Sequence, residues 1–354
     1  MLTKKENTAK EVILITGAAG FIGSAVVRYV LRHTEHEVVS YDNLSYSGSL
    51  LNLKDVLGSP RHSFVEGDIC DNRQVQNVLK QYQPTKIMHL AAETHVDNSI
   101  DRPADFIITN VLGTHNLLQS STEYWKKLSS QKQKLFKFHH VSTDEVYGDL
   151  DLDSARFNEQ TPYKPSSPYS ASKAASDHFV RAWYRTYGLP TVVSNCSNNY
   201  GPYQFPEKLI PVVISKALNN EPIPVYGAGQ QIRDWLHVDD HAKGLYTIVM
   251  QAAVGETYNI GADCEWRNID LVTYICEILD ELKPAAYSYK DYISFVTDRP
   301  GHDKRYAIDS TKMKADLGWT PDVPFDEGLK ATVSWYLDNQ TWLNAILEEA
   351  RSAA

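Results

Sequence analysis

EVILITGAAGFIGS, residues 11–24, joins a short apolar run to glycines at 17, 20 and 23. Val12 to Ile15 are β-branched or leucine, the make-up of a strand buried on both faces of a parallel sheet. The glycines let the chain turn tightly, let backbone approach a pyrophosphate, and let the next helix pack closely on the sheet. That helix, read over Phe21 to Arg32, would offer free N–H groups and a positive dipole end to phosphates. Three glycines alone make ordinary turns. The strand before them and the helix after them are what point to a dinucleotide site.

Reading outward, EVVSYD (37–42), HSFVEGDI (62–69), KIMHLAA (86–92), LFKFHHVST (135–143) and TVVSNCS (191–197) are further strands. Between them fall helices over Asn72 to Tyr82, near 103–128, and over 168–187. This alternation predicts an α/β protein with a doubly wound, Rossmann-like parallel sheet. After about residue 200 the segments shorten and prolines gather at 202, 206, 211, 222 and 224. That texture predicts a smaller, discontinuous C-terminal substrate lobe. The expected division is 11–200 for the dinucleotide-binding domain, with 235–262 returning to it, 201–234 and 263–345 for the substrate lobe, and 1–10 as a flexible tail.

Asp42 ends the second strand, where a carboxylate can accept hydrogen bonds from ribose hydroxyls and repel a 2′-phosphate, favouring NAD over NADP. Asp42-Asn43 is also good turn chemistry. Asp68, in GDI, is a weaker candidate on the adenine side, since a solvated loop acid would look the same.

Composition limits the alternatives. The 354 residues are 42% hydrophobic and 22% charged, enough to bury a core, and the net charge of -9 leaves no basic stripe for nucleic acid. Cys70, Cys196, Cys264 and Cys276 show neither zinc nor redox spacing, and scattered thiols suggest the cytosol. The twelve histidines form no zinc pattern and no metal is expected; His95 reads as a structural histidine. The start is polar, so neither a leader nor an anchor is expected, and no run approaches the ~18 apolar residues of a membrane span.

Ser167-Pro168-Tyr169-Ser170-Ala171-Ser172-Lys173 opens a helix, with Ser167 suited to the N-cap and Pro168 to the first helical position. Tyr169 and Lys173 then share a face. A phenol near its ordinary pKa of ~10 is a poor base at neutral pH, and a neighbouring ammonium would favour the phenolate. Such a base can take a proton from a sugar hydroxyl while a nicotinamide accepts hydride. Tyr-x-x-x-Lys is common on surface helices, and it gains meaning from the glycine-rich turn upstream.

Together TGAAGFIGS, Asp42, HLAA (89–92), TNVLGT (109–114) and YSASK (169–173) resemble the extended short-chain dehydrogenase/reductase family, over about residues 11–340. Within it, HLAAETHVDNSI (89–100), VSTDEVYG (141–148), SNCSNNYGPYQFPEKLIP (194–211), GQQIRDWLHVDDH (229–241) and DRPGHDKRYAID (298–309) are similar to the nucleotide-sugar 4,6-dehydratases. Departures are Thr94, where serine is expected, the residues before Asn268, and the extra N-terminal tail.

The resemblance implies a hydro-lyase, an NAD cofactor, a nucleotide-sugar substrate that is dTDP-glucose, and a homodimer pairing the helices near 103–128 and 168–187. It assigns Glu145 as the base that removes the C5 proton and Asp144 as the acid that protonates the departing C6 hydroxyl, with Thr143, Tyr169 and Lys173 completing the catalytic set. It places Gly17, Gly20, Phe21, Ile22, Gly23, Asp42, Asn43, Leu44, Ser45, Asp68, Ile69, Leu90, Ala91, Ala92, Thr109 and Asn199 around NAD. Around the nucleotide sugar it places Thr94, Thr143, Asn198, Lys208, Leu209, Tyr226, Arg233, Asn268, Arg299 and His302.

Two adjacent carboxyls suit an elimination. Once C4 is a ketone, the C5 proton is acidic; one carboxylate can take it while a carboxylic acid protonates the leaving hydroxyl. Asp-Glu pairs also cap helices. The competing readings are a UDP-glucose 4,6-dehydratase, a nucleotide-sugar 4-epimerase, and a non-catalytic NAD sensor. An epimerase needs only the tyrosine base and a keto sugar free to rotate, and an intact Tyr169, Lys173, Asp144 and Glu145 set argues against decay to a sensor.

Overall fold

The computed structural model describes residues 10–353, so the tail expected over 1–10 lies, except for Lys10, outside the described residues. The strands are β1 Val12–Thr16, β2 Glu37–Asp42, β3 His62–Glu66, β4 Lys86–His89, β5 Lys137–Thr143, β6 Thr191–Cys196, β7 Asn198–Tyr200, β8 Ile223–Tyr226, β9 Ile232–His237, β10 Thr257–Ile260, β11 Glu265–Arg267 and β12 Ile293–Val296. Seven of them form one sheet in the order β3-β2-β1-β4-β5-β6-β10, every pair parallel. This is the doubly wound sheet read from the sequence. Strand order reverses between β1 and β4, and ligands bind outside the carboxyl ends of the strands at such a switch point.

Each sheet face is covered because each strand is apolar on both sides. Ile13 and Ile15 pack into a cluster with Val26, Val27 and Val30 of helix Phe21–His33 and Leu245 and Ile248 of helix Val238–Gln251. Leu14, Val39 and Ile87 face the opposite way, against helices Asn72–Tyr82, Thr114–Lys126 and Pro168–Tyr187. Helix Val238–Gln251 and β10 thus come back to the first lobe from beyond the second lobe's first segment.

A separate cluster holds the second lobe, where Ile210, Ile214, Leu271, Ile275, Leu329 and Tyr336 are among the buried side chains. Its helices are Leu209–Leu218, Asn268–Leu282, Phe325–Asp338 and Gln340–Ala353. Strands β7, β9 and β11 form one small sheet and β8 with β12 another. Residues after 305, assigned by sequence to this lobe, partly pack on the other. Met313 and Trp319 join the first lobe's cluster, and Trp319 Nε1 donates to the Asp240 carbonyl at 3.2 Å.

The helix expected near 103–128 is not uniform. It runs as α-helix over Pro103–Phe106, as a π turn over Ile107–Gly113, and as α-helix again over Thr114–Lys126. Asn110 lies within the wide turn and is tied down from it. It is 1% exposed, and its amide donates to Ser172 Oγ at 2.8 Å and to the Glu93 carbonyl at 3.0 Å while its Oδ1 accepts from Glu93 N at 2.8 Å. Such turns often mark functional positions.

Candidate active site

The carboxyl ends of β1, β2, β4, β5 and β6 open into a cleft of about 710 Å³ between the lobes. Every residue the sequence reading assigns to cofactor, substrate or catalysis lines it except Leu44 and Asp144.

At the β1 turn, Gly17 takes φ +69°, and a Cβ there would lie 2.6 Å from Ala91 N. A Cβ on Gly23 would lie 2.0 Å from Gly17 O. Neither position accepts a side chain without moving backbone. Gly20 caps the helix with no side-chain hydrogen bond, so its first-turn N–H groups face the cleft without a side-chain acceptor. Such a terminus fits a pyrophosphate.

Asp42 sits 7% exposed at the end of β2. Its Oδ2 accepts from Ala19 N and its Oδ1 from Leu44 N, both at 2.9 Å. Burial raises its pKa, and these two bonds oppose the rise. Leu44 turns away from the cleft: its N–H donates to Asp42 and its side chain packs against the core. Asp68 and Asn43 come together at the rim, 3.5 Å apart. Asn199 lines the cleft with its polar atoms already engaged, donating to Ser197 O and paired with His241 Nδ1, both at 2.9 Å. His95 caps the helix Val96–Asp101, accepting from Asn98 N at 3.4 Å.

The chemistry gathers where β5 ends. Thr143 caps a 3-10 turn, Asp144–Tyr147, and accepts from Glu145 N at 3.3 Å. Helix Pro168–Tyr187 brings Tyr169 against this turn. Ser167 and Ser170 form a reciprocal capping box, and Pro168 stands in the first turn. A cap of this kind contributes roughly 0.5–2 kcal/mol and sets the helix register.

Burial pushes the Tyr169 phenol well above its ordinary value. Glu145, Cys196 and Asp144 push the same way, and a hydrogen bond from Thr143 opposes them. Lys173, one turn further along the helix, lines the same cleft. Its ammonium donates to the Val141 carbonyl at 2.8 Å. Burial lowers its pKa and the Asp177 carboxylate, one turn further along, opposes that. Asp177 is fully buried, 3.1 Å from His140 Nε2, and accepts from Tyr163 at 2.8 Å. Burial carries His140 down to about 4, so a neutral imidazole faces an ionised Asp177.

Asp144 is 2% exposed, between Thr143 and Glu145 of the cleft wall. Burial, and then Glu145, raise its pKa well above the usual carboxylate range. Its Oδ2 has no partner, and its Oδ1 lies 3.4 Å from Thr143 Oγ1. An uncompensated buried carboxylate is too costly to stay ionised, so the group is held as the acid. Glu145 reaches the cleft itself. Burial raises its pKa, while Arg233, Arg299 and Lys208 pull it back. One carboxyl is therefore held neutral beside another that cations favour as the anion.

Those cations belong to the second lobe. Arg233 is fixed by the carbonyls of Ile232 (2.8 Å) and Asp303 (3.0 Å), with Tyr306 under its guanidinium at 4.2 Å. Lys208 donates to Thr94 O at 3.0 Å and lies 3.3 Å from Glu207. Asp298 anchors the loop that carries Arg299, accepting from Arg299 N (2.9 Å) and Gln231 (2.8 Å) and pairing with His302 (2.6 Å). Asn198 Oδ1 and Asn268 Oδ1 are buried on the cleft wall without a partner, as acceptors for a ligand's donors would be.

Sequence reasoning missed Tyr306, Cys196, Glu207 and Asp97, all on the cleft wall. Tyr306 stands beside assigned residues in a quoted motif and was within reach; the position of Asp97 depends on a contact with Arg299, which only the folded chain brings close. Among the described residues no group of three His, Cys, Asp or Glu side chains could hold a metal, and no helix is long and apolar enough to cross a membrane.

A nucleotide cradle, a tyrosine and a paired carboxyl turn over one switch point describe a dinucleotide-dependent sugar-nucleotide enzyme, and the chain belongs to the GDP-mannose 4,6 dehydratase family, which it matches over residues 14–332. More particularly, it is 57% identical to the dTDP-glucose 4,6-dehydratase of Neisseria meningitidis serogroup B, covering 95% of this chain and 96% of that one. It is 55% identical to the enzyme of that name from Salmonella typhimurium, covering 94% and 95%. The solved dTDP-glucose 4,6-dehydratase of Streptomyces venezuelae, with NAD and TYD bound, superposes with a TM-score of 0.86 at 41% identity over 95% of this chain and 99% of that one.

Proposed function

We propose that this chain dehydrates dTDP-glucose to dTDP-4-keto-6-deoxyglucose, using NAD without net oxidation, as a hydro-lyase. The observation that carries the reading is the Thr143-Asp144-Glu145 turn against Tyr169, with Asp144 held neutral and Glu145 among three cations. The relatives' names support the nucleotide and the reaction. The glycine cradle and the pinned Asp42 carboxylate fit NAD and disfavour a 2′-phosphate.

When bound, NAD supplies the hydride acceptor for C4, the donor for C6, and a positive charge that favours the Tyr169 phenolate. Tyr169 takes the proton of the C4 hydroxyl as the ketone forms. The C5 proton, now α to a carbonyl, passes to Glu145. Asp144 gives its proton toward the departing C6 hydroxyl, with Thr143 as its hydrogen-bonded neighbour, and water leaves. A proton returns to C5 to complete the product. Lys208, Arg233 and Arg299 hold the diphosphate. Arg and Lys are suited to it as fork and point charge. The free thiols fit a cytosolic enzyme.

The test is incubation of the protein with dTDP-glucose and with UDP-glucose, followed by mass spectrometry. Loss of water, faster from the thymidine sugar, is expected. Water loss faster from UDP-glucose overturns the nucleotide assignment, and no water loss from either sugar overturns the reaction.

The chain also acts as a homodimer in this reading. Ile107, Ile108 and Leu112 are 54%, 49% and 55% exposed on the π turn, and Phe179 on the adjacent helix is 37% exposed. Ile108 and Leu112 share a face with His115, whose ring meets those of Phe179 and Trp183. An apolar face of two neighbouring helices, repeated by symmetry, makes a four-helix contact. Leu112→Glu combined with Phe179→Glu should convert a dimer to a monomer by light scattering at micromolar concentration. A wild-type monomer would rule the dimer out.

A further inference from the structure

Asp97 lies in the first turn of the helix Val96–Asp101, on the sheet lobe's side of the cleft. Its carboxylate reaches across to the other lobe. Oδ1 accepts from Arg299 Nη1 at 3.1 Å, and Oδ2 accepts from the Tyr226 hydroxyl at 3.4 Å. Both partners are residues assigned above to the nucleotide sugar, and Arg299 to its diphosphate. Of the three cations that act on Glu145, Arg233 is held by carbonyls of its own lobe and Lys208 sits by the adjacent Glu207 and the Thr94 carbonyl. Arg299 is the one tied by a carboxylate to the opposite lobe. Its Nε is buried and has no partner, so this arrangement leaves part of the guanidinium unsatisfied.

We propose that Asp97 is an interlobe latch that the substrate's diphosphate displaces. The carboxylate holds Arg299 and Tyr226 across the cleft, the diphosphate takes Arg299 from it, and Asp97 takes the guanidinium back as the nucleotide leaves. The exchange follows from charge and shape. A phosphate offers the planar guanidinium two oxygens at once and more negative charge, whereas Asp97 gives it one oxygen. Carboxylate and diphosphate also repel each other, so they compete for Arg299 rather than share it. Asp97 is thus a positioning residue that weakens resting affinity and speeds release.

This rests on the reading of the cleft as a nucleotide-sugar site, and binding of dTDP, measured without turnover, tests the two separately. In the NAD-loaded protein, Asp97→Asn keeps the side chain's shape and removes its charge, and Asp97→Ser removes the second acceptor oxygen as well. Titration calorimetry should give a Kd for dTDP lower than wild type by roughly 3–30-fold, with slower dissociation in stopped flow, and the gap should shrink as salt rises. Equal or weaker dTDP binding by a variant whose circular dichroism is native overturns the latch. Failure of the wild type itself to bind dTDP overturns the nucleotide-sugar reading beneath it.

Discussion

Tyr169→Phe should stop the whole sequence, so that neither a 4-keto sugar nor a dehydrated one forms from dTDP-glucose. The hydroxyl is the one titratable group of the opening helix turn that faces the cleft beside Thr143. Removing it takes away the base for the C4 hydroxyl, and without the ketone the C5 proton is not acidic. The elimination then has nothing to act on, however well Asp144 and Glu145 are placed. General base catalysis of this kind is worth about 10²–10⁴ in rate, and the loss should show at both steps. Product mass and the absorbance of reduced nicotinamide are the readouts. Since burial raises the Tyr169 pKa in the free protein, oxidation in the wild type should also weaken as pH falls, as the phenol regains its proton.

Glu145→Gln and Asp144→Asn should behave in the opposite way, allowing oxidation and blocking elimination. Neither change removes the tyrosine, so a 4-keto-glucose nucleotide should accumulate with its C6 hydroxyl intact. Elimination should slow by about 10²–10⁴ in each variant if the two groups act as base and acid. The pH dependence has two limbs. Glu145 must be ionised, so the step is lost as pH falls through its raised pKa; Asp144 must be protonated, so it is lost as pH rises through its own. The groups influence each other, so the limbs belong to the pair. Dehydration by Glu145→Gln at the wild-type rate would show that the turn is only a helix-like cap.

Much of this architecture could be read from residue patterns because it depends on local rules. The apolar run before Gly17, the spacing to Gly23 and the Ser167-Pro168 start each act within a few residues, and the chain follows them. The parts that escaped depend on contacts far apart in sequence. Lys173 shares a helix face with Tyr169, but the carbonyl its ammonium meets, Val141 of β5, is brought there only by the fold. Asp144 and Glu145 look alike in the chain, and only packing leaves one with an oxygen unpartnered and sets the other among three cations. Met313 and Trp319 looked like second-lobe residues until the fold seated them on the first lobe's helices.

The wide turn at 107–113 has a consequence for how the enzyme can change over time. A π turn holds an extra residue compared with an α turn, so helix faces on its two sides are out of step by about 100° relative to an unbroken rod. That slip lets one segment bury Asn110 against Ser172, set Thr109 on the cleft wall and still leave Ile108 and Leu112 outside. Losing one residue there would restore a regular helix and rotate one set of contacts away from the other. Surface segments usually tolerate changes of length. This one should not, and drift in its length should be far rarer than drift in its composition.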